Sequence, residues 1–154
     1  MKILLAVDGS KCSEAACDSV ASRPWPHPSE VRILSVAEHA SLMAMPDTWG
    51  PPSDFYEKLE KAARDQAKTV VDKVVAILGS RMGDGVTVTS VVMEGFPKEE
   101  ILKEADRWKA DLIVLGSHGY RGLKRFWLGS VSQAVATHAT CSVEIIRCRE
   151  AATP

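Results

Sequence analysis

The 154-residue chain carries 19 basic and 20 acidic residues, a formal net charge of −1. That balance argues against a general binder of nucleic acid or of anionic membrane surfaces. Its 45% hydrophobic and 25% charged content are those of an ordinary globule, and its length predicts one domain with a real core. No apolar run approaches the roughly 20 residues that cross a bilayer. Met1 and Lys2 are followed by five apolar or small residues and then Asp8, too short a stretch for a signal-peptide core, so the expected location is the cytoplasm.

In chain order, Lys2 to Asp8 is an apolar run ending at the turn Asp8-Gly9-Ser10, and a helix from Cys12 to Ser22 follows. Pro24, Pro26 and Pro28 stop that helix, because proline cannot continue one. Val31 to Ala37 reads as the second strand. An irregular segment, Glu38 to Ser53, holds Met43, Met45 and Trp49; loops of that length tend to be lids, binding loops or disordered. Asp54 to Leu78 predicts a long helix whose stripe of Phe55, Leu59, Ala63, Val70, Val74 and Ile77 faces a sheet, with Gly79 and Gly83-Asp84-Gly85 ending it.

Val86 to Met93, rich in valine and threonine, is the third strand by propensity. Pro97 suits the first position of the next helix, with Glu99 and Glu100 in its first turn and Ile101, Leu102, Ala105 and Trp108 on its buried side. Asp111 to Leu115 is a fourth strand, buried on both faces, and Ser142 to Arg147 a fifth. Strands alternating with helices imply a mainly parallel sheet covered on both faces, with right-handed crossovers.

The four cysteines form no C-x-x-C pair, and the four histidines lack metal-ligand spacing to them. The expectation is that all four are reduced, structural thiols.

The fourth strand runs directly into Gly116-Ser117-His118-Gly119, and nine residues further on Gly129-Ser130 opens a helix-like stretch from Val131 to His138. Glycine allows positive φ and close approach of a ligand to the main chain. A helix start offers free N–H groups and partial positive charge to an anion. Strand, glycine loop and helix start together make a phosphate cradle, although each of these turns can also serve the fold alone. Asp8 has two readings: a contact to a ligand, or an Asx-turn bonding the backbone of Ser10 and capping the first helix. His118 can donate to an anion or stand as a loop histidine. Arg121, Lys124 and Arg125 give the intervening loop positive charge, while Phe126, Trp127 and Leu128 read as its anchors to the core.

The spacing G-x2-G-x9-G-S resembles the ATP-binding signature of the universal stress protein family. Asp8 in Ala6-Val7-Asp8-Gly9-Ser10, Gly95-Phe96-Pro97 before a helix, and the run into Gly116 also match it. The resemblance extends from about Lys2 to Arg147. It implies a single open doubly wound α/β fold, a five-stranded parallel sheet of order 3-2-1-4-5 (adenine nucleotide alpha hydrolase-like), over residues 1–148 with a short tail at 149–154. That order puts the switch point between strands 1 and 4, where ligands of open α/β sheets bind.

The implied ligand is ATP, with or without magnesium or manganese. Its site would comprise Ala6, Val7, Asp8, Val36, Leu115, Gly116, Ser117, His118, Gly119, Gly129, Ser130, Val131 and Ser132. Val36 would hold adenine through its main chain. A homodimer through Val143, Ile145 and Ile146 of the fifth strand is implied as well, beside an unnamed protein partner and no nucleic acid or membrane. The functional expectation is a nucleotide-dependent stress-response sensor or regulatory module with slow, partner-dependent or absent ATP hydrolysis. The alternatives are a weak ATPase or phosphotransferase using Asp8 and a divalent metal, and an interaction protein of the same fold that binds no nucleotide. G-x4-G-K-[ST] and G-x-G-x-x-G motifs are both missing, which excludes P-loop and dinucleotide-binding signatures.

Overall fold

A computed structural model describes residues 1–38, 53–119 and 128–148. Met43, Met45, Trp49, Arg121, Lys124, Arg125, Phe126, Trp127 and the tail 149–154 lie outside the described residues. The elements are β1 (Lys2–Ala6), α1 (Lys11–Ala21), β2 (Ser29–Ala37), α2 (Ser53–Arg81), β3 (Val86–Glu94), α3 (Pro97–Trp108), β4 (Leu112–Gly116), α4 (Ser130–His138) and β5 (Ser142–Ile146). The strands form one parallel sheet in the order β3-β2-β1-β4-β5, the expected doubly wound arrangement.

Burial explains why β1 and β4 read as unbroken apolar runs. Ile3, Leu5 and Val114 pack under α1 and α2 with Ala16, Val20, Val71 and Leu78. Leu4, Ile113 and Leu115 pack on the opposite face under α3 and α4 with Ile101, Ala105, Trp108 and Val135. Both faces of the central strands are therefore dry, and alternation vanishes. The register pairs Ala6 with Leu34 on one side and with Leu115 on the other, so β1 is the centre from which the crossovers diverge.

Three expectations about the helices change. Gly79 does not end α2, which continues to Arg81, with Met82 N–H donating to the carbonyl of buried Leu78 at 2.8 Å. A mid-helix glycine costs only about 1 kcal/mol relative to alanine, and the packed Leu78 turn outweighs it. Second, Phe55 and Leu59 are 45% and 39% exposed, and the buried stripe is Ala67, Val71, Val74 and Leu78. A helix of 29 residues is about 43 Å long at 1.5 Å per residue, more than the five- to nine-residue strands can cover. Third, the buried face of α3 includes Glu104 while Leu102 is only half-buried.

Glu104 is 0% exposed, and its carboxylate is held by Arg32 of β2 at 2.8 Å and by Arg107 at 2.7 and 2.8 Å. Arg32 in turn lies 4.4 Å over the Trp108 ring. Burial alone would raise the Glu104 pKa, but the hydrogen bonds from Arg107 and Arg32 outweigh it and hold the carboxyl below its ordinary value.

The expectation of four free thiols is also corrected. Cys12 and Cys148 form a disulfide, their Cα atoms 4.7 Å apart, while Cys17 and Cys141 are free. The pairing follows from topology: β5 lies beside β4, β4 beside β1, and the chain leaving β5 emerges next to the first turn of α1.

Candidate nucleotide site

At the carboxyl end of β1 the chain must reverse into α1, and Gly9 does this with φ of 82°, in the left-handed region that favours glycine. Asp8 Oδ1 accepts from Ser10 N–H at 2.9 Å, the Asx-turn foreseen for it. The helix cap, however, is Ser10, whose hydroxyl accepts from Ser13 N–H at 3.3 Å. Asp8 is exposed, and its second oxygen faces the end of β4: a Cβ on Gly119 would lie 2.7 Å from Oδ2.

The Gly116–Gly119 segment is pinned from several sides. Ser117 N–H donates to Ile146 O at 2.8 Å, and Ser10 Oγ donates to His118 O at 3.3 Å. The Ser117 carbonyl accepts from Gly129 N–H at 2.8 Å and from Ser132 Oγ at 2.9 Å, which ties the second glycine segment to the first. Ser132 is thus turned inward and buried, and its hydroxyl positions the loop; only its main-chain N–H stands at the helix start.

None of the three motif glycines has a left-handed backbone; Gly116 and Gly129 are required by proximity to main-chain atoms. A Cβ at Gly116 would come 2.7 Å from the carbonyl carbon of Cys12, and one at Gly129 would come 3.2 Å from the carbonyl oxygen of Ser117. The expectation of positive φ at these positions is replaced by one of close packing.

Two sets of polar atoms, at the start of α4 and just beyond β4, have no partners among the described residues. Gly129 caps α4 without a side-chain bond, and the first intrahelical bond is Gln133 N–H to Gly129 O at 2.9 Å. The N–H groups of Ser130, Val131 and Ser132 are therefore the orphan donors of that helix start. His118 Nδ1 lies 3.1 Å from Ser117 Oγ, whereas its Nε2 is buried with no hydrogen-bond partner. Ala6, Val7 and Leu115 are buried along the floor, and Val7 N–H is bonded to Leu34 O at 2.9 Å. Val36 is half-buried near the end of β2, paired with Met93 of β3. Among the described residues no cluster of three or more His, Cys, Asp or Glu could hold a metal ion, and no helix is long and apolar enough to cross a membrane.

A five-stranded parallel sheet of this order, with its crevice between β1 and β4, defines an adenine nucleotide alpha hydrolase-like fold. The chain belongs to the universal stress protein family, whose model matches residues 1–147. It is similar to the universal stress protein YxiE of Bacillus subtilis, with 30% identity over 148 residues that cover 95% of this chain and 98% of the relative. Universal stress protein UspA from Lactobacillus plantarum superposes with a TM-score of 0.79 at 25% identity, covering 96% and 97% of the two chains. A universal stress protein family protein from Arabidopsis thaliana, solved with AMP bound, shares the fold with a TM-score of 0.68 at 20% identity, covering 97% and 92%.

Proposed function

We propose that the protein binds ATP in the β1/β4 crevice and acts as a nucleotide-dependent regulatory module in the cytoplasm. The observation that carries this reading is a helix start tied to the glycine segment, both with polar atoms that have no partner among the described residues. The Ser130, Val131 and Ser132 amides open α4, Gly129 is bonded to the Ser117 carbonyl, and the adjacent His118 has an Nε2 with no partner among the described residues. Free N–H groups at a helix start suit an anion such as a phosphate. Asp8, with one oxygen engaged in its turn and the other open, suits the ribose, and the main chain at Val36 suits the adenine. The AMP held by the Arabidopsis neighbour supports an adenine nucleotide as the ligand class.

The same reading includes slow turnover. Hydrolysis requires a positioned water and a base within hydrogen-bond reach. Ser117 occupies one His118 nitrogen, and the other is better suited to a phosphate oxygen. It also includes a homodimer: among the described residues β5 pairs only with β4, and its half-buried Val143, Ile145 and Ile146 leave an apolar edge that a two-fold partner strand would satisfy. Native mass spectrometry of the protein as purified tests both points together, by bound mass and by subunit number. A nucleotide-free protein that takes up no added ATP would overturn the reading.

A further inference from the structure

We propose that Cys12 and Cys148 form a redox-controlled clamp on the Gly116–Gly119 loop, exchanging with low-molecular-weight thiols of the glutathione class. The effect on the loop stands by itself; the effect on nucleotide affinity rests on the function proposed above.

Both ends of the bond reach the loop. Cys12 forms the surface on which Gly116 is seated, and its Sγ lies 3.8 Å from Ser117 Oγ. Cys148 follows Ile146 by two residues, and Ile146 O receives the Ser117 N–H. The disulfide therefore ties α1 and the chain beyond β5 around the residue whose carbonyl anchors Gly129 and Ser132. Reduction releases the Cys148 end and removes one wall of that enclosure.

The two sulfurs differ in a way that sets the direction of attack. Cys12 is 4% exposed in the first turn of α1, whereas Cys148 is half-buried and reachable. An external thiolate attacks Cys148 Sγ, the Cys148–Cys12 bond breaks, and Cys12 leaves as a thiolate favoured by the helix start. A second external thiolate attacks the external sulfur of the mixed disulfide, releasing Cys148 as a thiolate and the external pair as a disulfide. Two external thiols are oxidised, the protein disulfide gains two electrons, and the protons released from the external thiols pass to the two protein thiolates. Oxidation is the same path reversed. Cys17 and Cys141 stay outside it, since burial pushes both thiols up and away from the nucleophilic thiolate form.

A tethered loop has less to order when an anion arrives, so the disulfide form is the tighter binder. The test poises the full chain in buffers of defined reduced-to-oxidised glutathione ratio. Alkylation mapping reads the cysteines, hydrogen exchange reads amides 116–119, and calorimetry reads ATP. The expected result is reversible exchange of the Cys12–Cys148 pair with Cys17 and Cys141 staying as thiols. The loop amides are better protected in the oxidised state, and ATP binds about fivefold or more tightly there. Cys148→Ser behaves as the reduced protein in every buffer. A pair that ignores the glutathione ratio, or loop protection equal in both states, overturns the clamp. Equal ATP affinities with unequal protection overturn its coupling to binding. Unequal protection with no ATP binding in either state supports the clamp and instead removes the nucleotide reading.

Discussion

Asp8 and Gly119, more than a hundred residues apart in sequence, meet so closely that a Cβ on Gly119 would lie 2.7 Å from Asp8 Oδ2. The contact joins the segments that follow β1 and β4, and the start of α4 is tied to the same loop by the Gly129 N–H bond to the Ser117 carbonyl. An acidic group there disfavours a bare anion but suits a ligand that carries hydroxyls beside its phosphates.

Gly116→Ala and Gly119→Ala should therefore separate stability from binding. At Gly116 the added carbon meets main-chain atoms of Cys12 at 2.7 Å, which cannot swing aside. Overpacking of this kind costs about 1–3 kcal/mol, read as a lowered midpoint in urea unfolding. At Gly119 the obstacle is an exposed side chain that can rotate, so stability changes little while ATP affinity falls. Equal loss of stability in both variants would contradict this.

Glu104 gives the protein an acid-sensitive element. Its folded-state pKa lies below the ordinary value of 4.5, so in that window the native state binds fewer protons than the unfolded one. The resulting stability is complete above the unfolded pKa and is lost as pH falls through the folded one. Glu104→Gln should flatten the decline of unfolding free energy below about pH 4.5, the unperturbed carboxyl value, measured by urea titration at several pH values. Arg32→Ala leaves Glu104 with Arg107 alone and should cost about 1–3 kcal/mol at neutral pH.

The sequence made β1, β4 and the α4 start legible because each is signalled locally, by an unbroken apolar run or by Gly129-Ser130 itself. Convergence of Asp8 with Gly119 followed from strand order, which the family resemblance supplied and periodicity did not. Glu104 was missed although the signal existed: it lies three residues after Ile101 and four before Trp108, on the stripe that faces the sheet, with Arg32 on a neighbouring strand. Cys12 and Cys148 could not be paired by spacing, because their meeting depends on how β5 lies beside β4. Phe55 and Leu59 keep the helical period but extend past the strands, a limit that periodicity does not encode.

The edge strand offers a third test. Ile145→Lys places a charge on the apolar edge of β5, where Glu144 is already engaged by a two-pronged bond from Arg23. Sedimentation should show a dimer for the wild type at tens of micromolar and a monomer for the variant, with ATP binding retained. A wild-type monomer would rule out the β5 dimer.

Turnover is expected to remain far below the roughly 1 per second of even slow dedicated enzymes. Phosphate release with and without magnesium measures it. A rate at or above that value, abolished by Asp8→Ala or His118→Ala, would mean that the crevice is catalytic.

The central claim is tested most directly by calorimetry of ATP against the wild type and Gly129→Leu. Gly129 lies against the Ser117 carbonyl at the start of α4, and a leucine there crowds the Ser117–His118 main chain next to the Ser130–Ser132 segment. The account predicts one ATP per chain, weaker binding of GTP, and a loss of about tenfold or more (~1.4 kcal/mol) in a variant that is still folded by circular dichroism. Unchanged ATP affinity in the folded Gly129→Leu protein would contradict it.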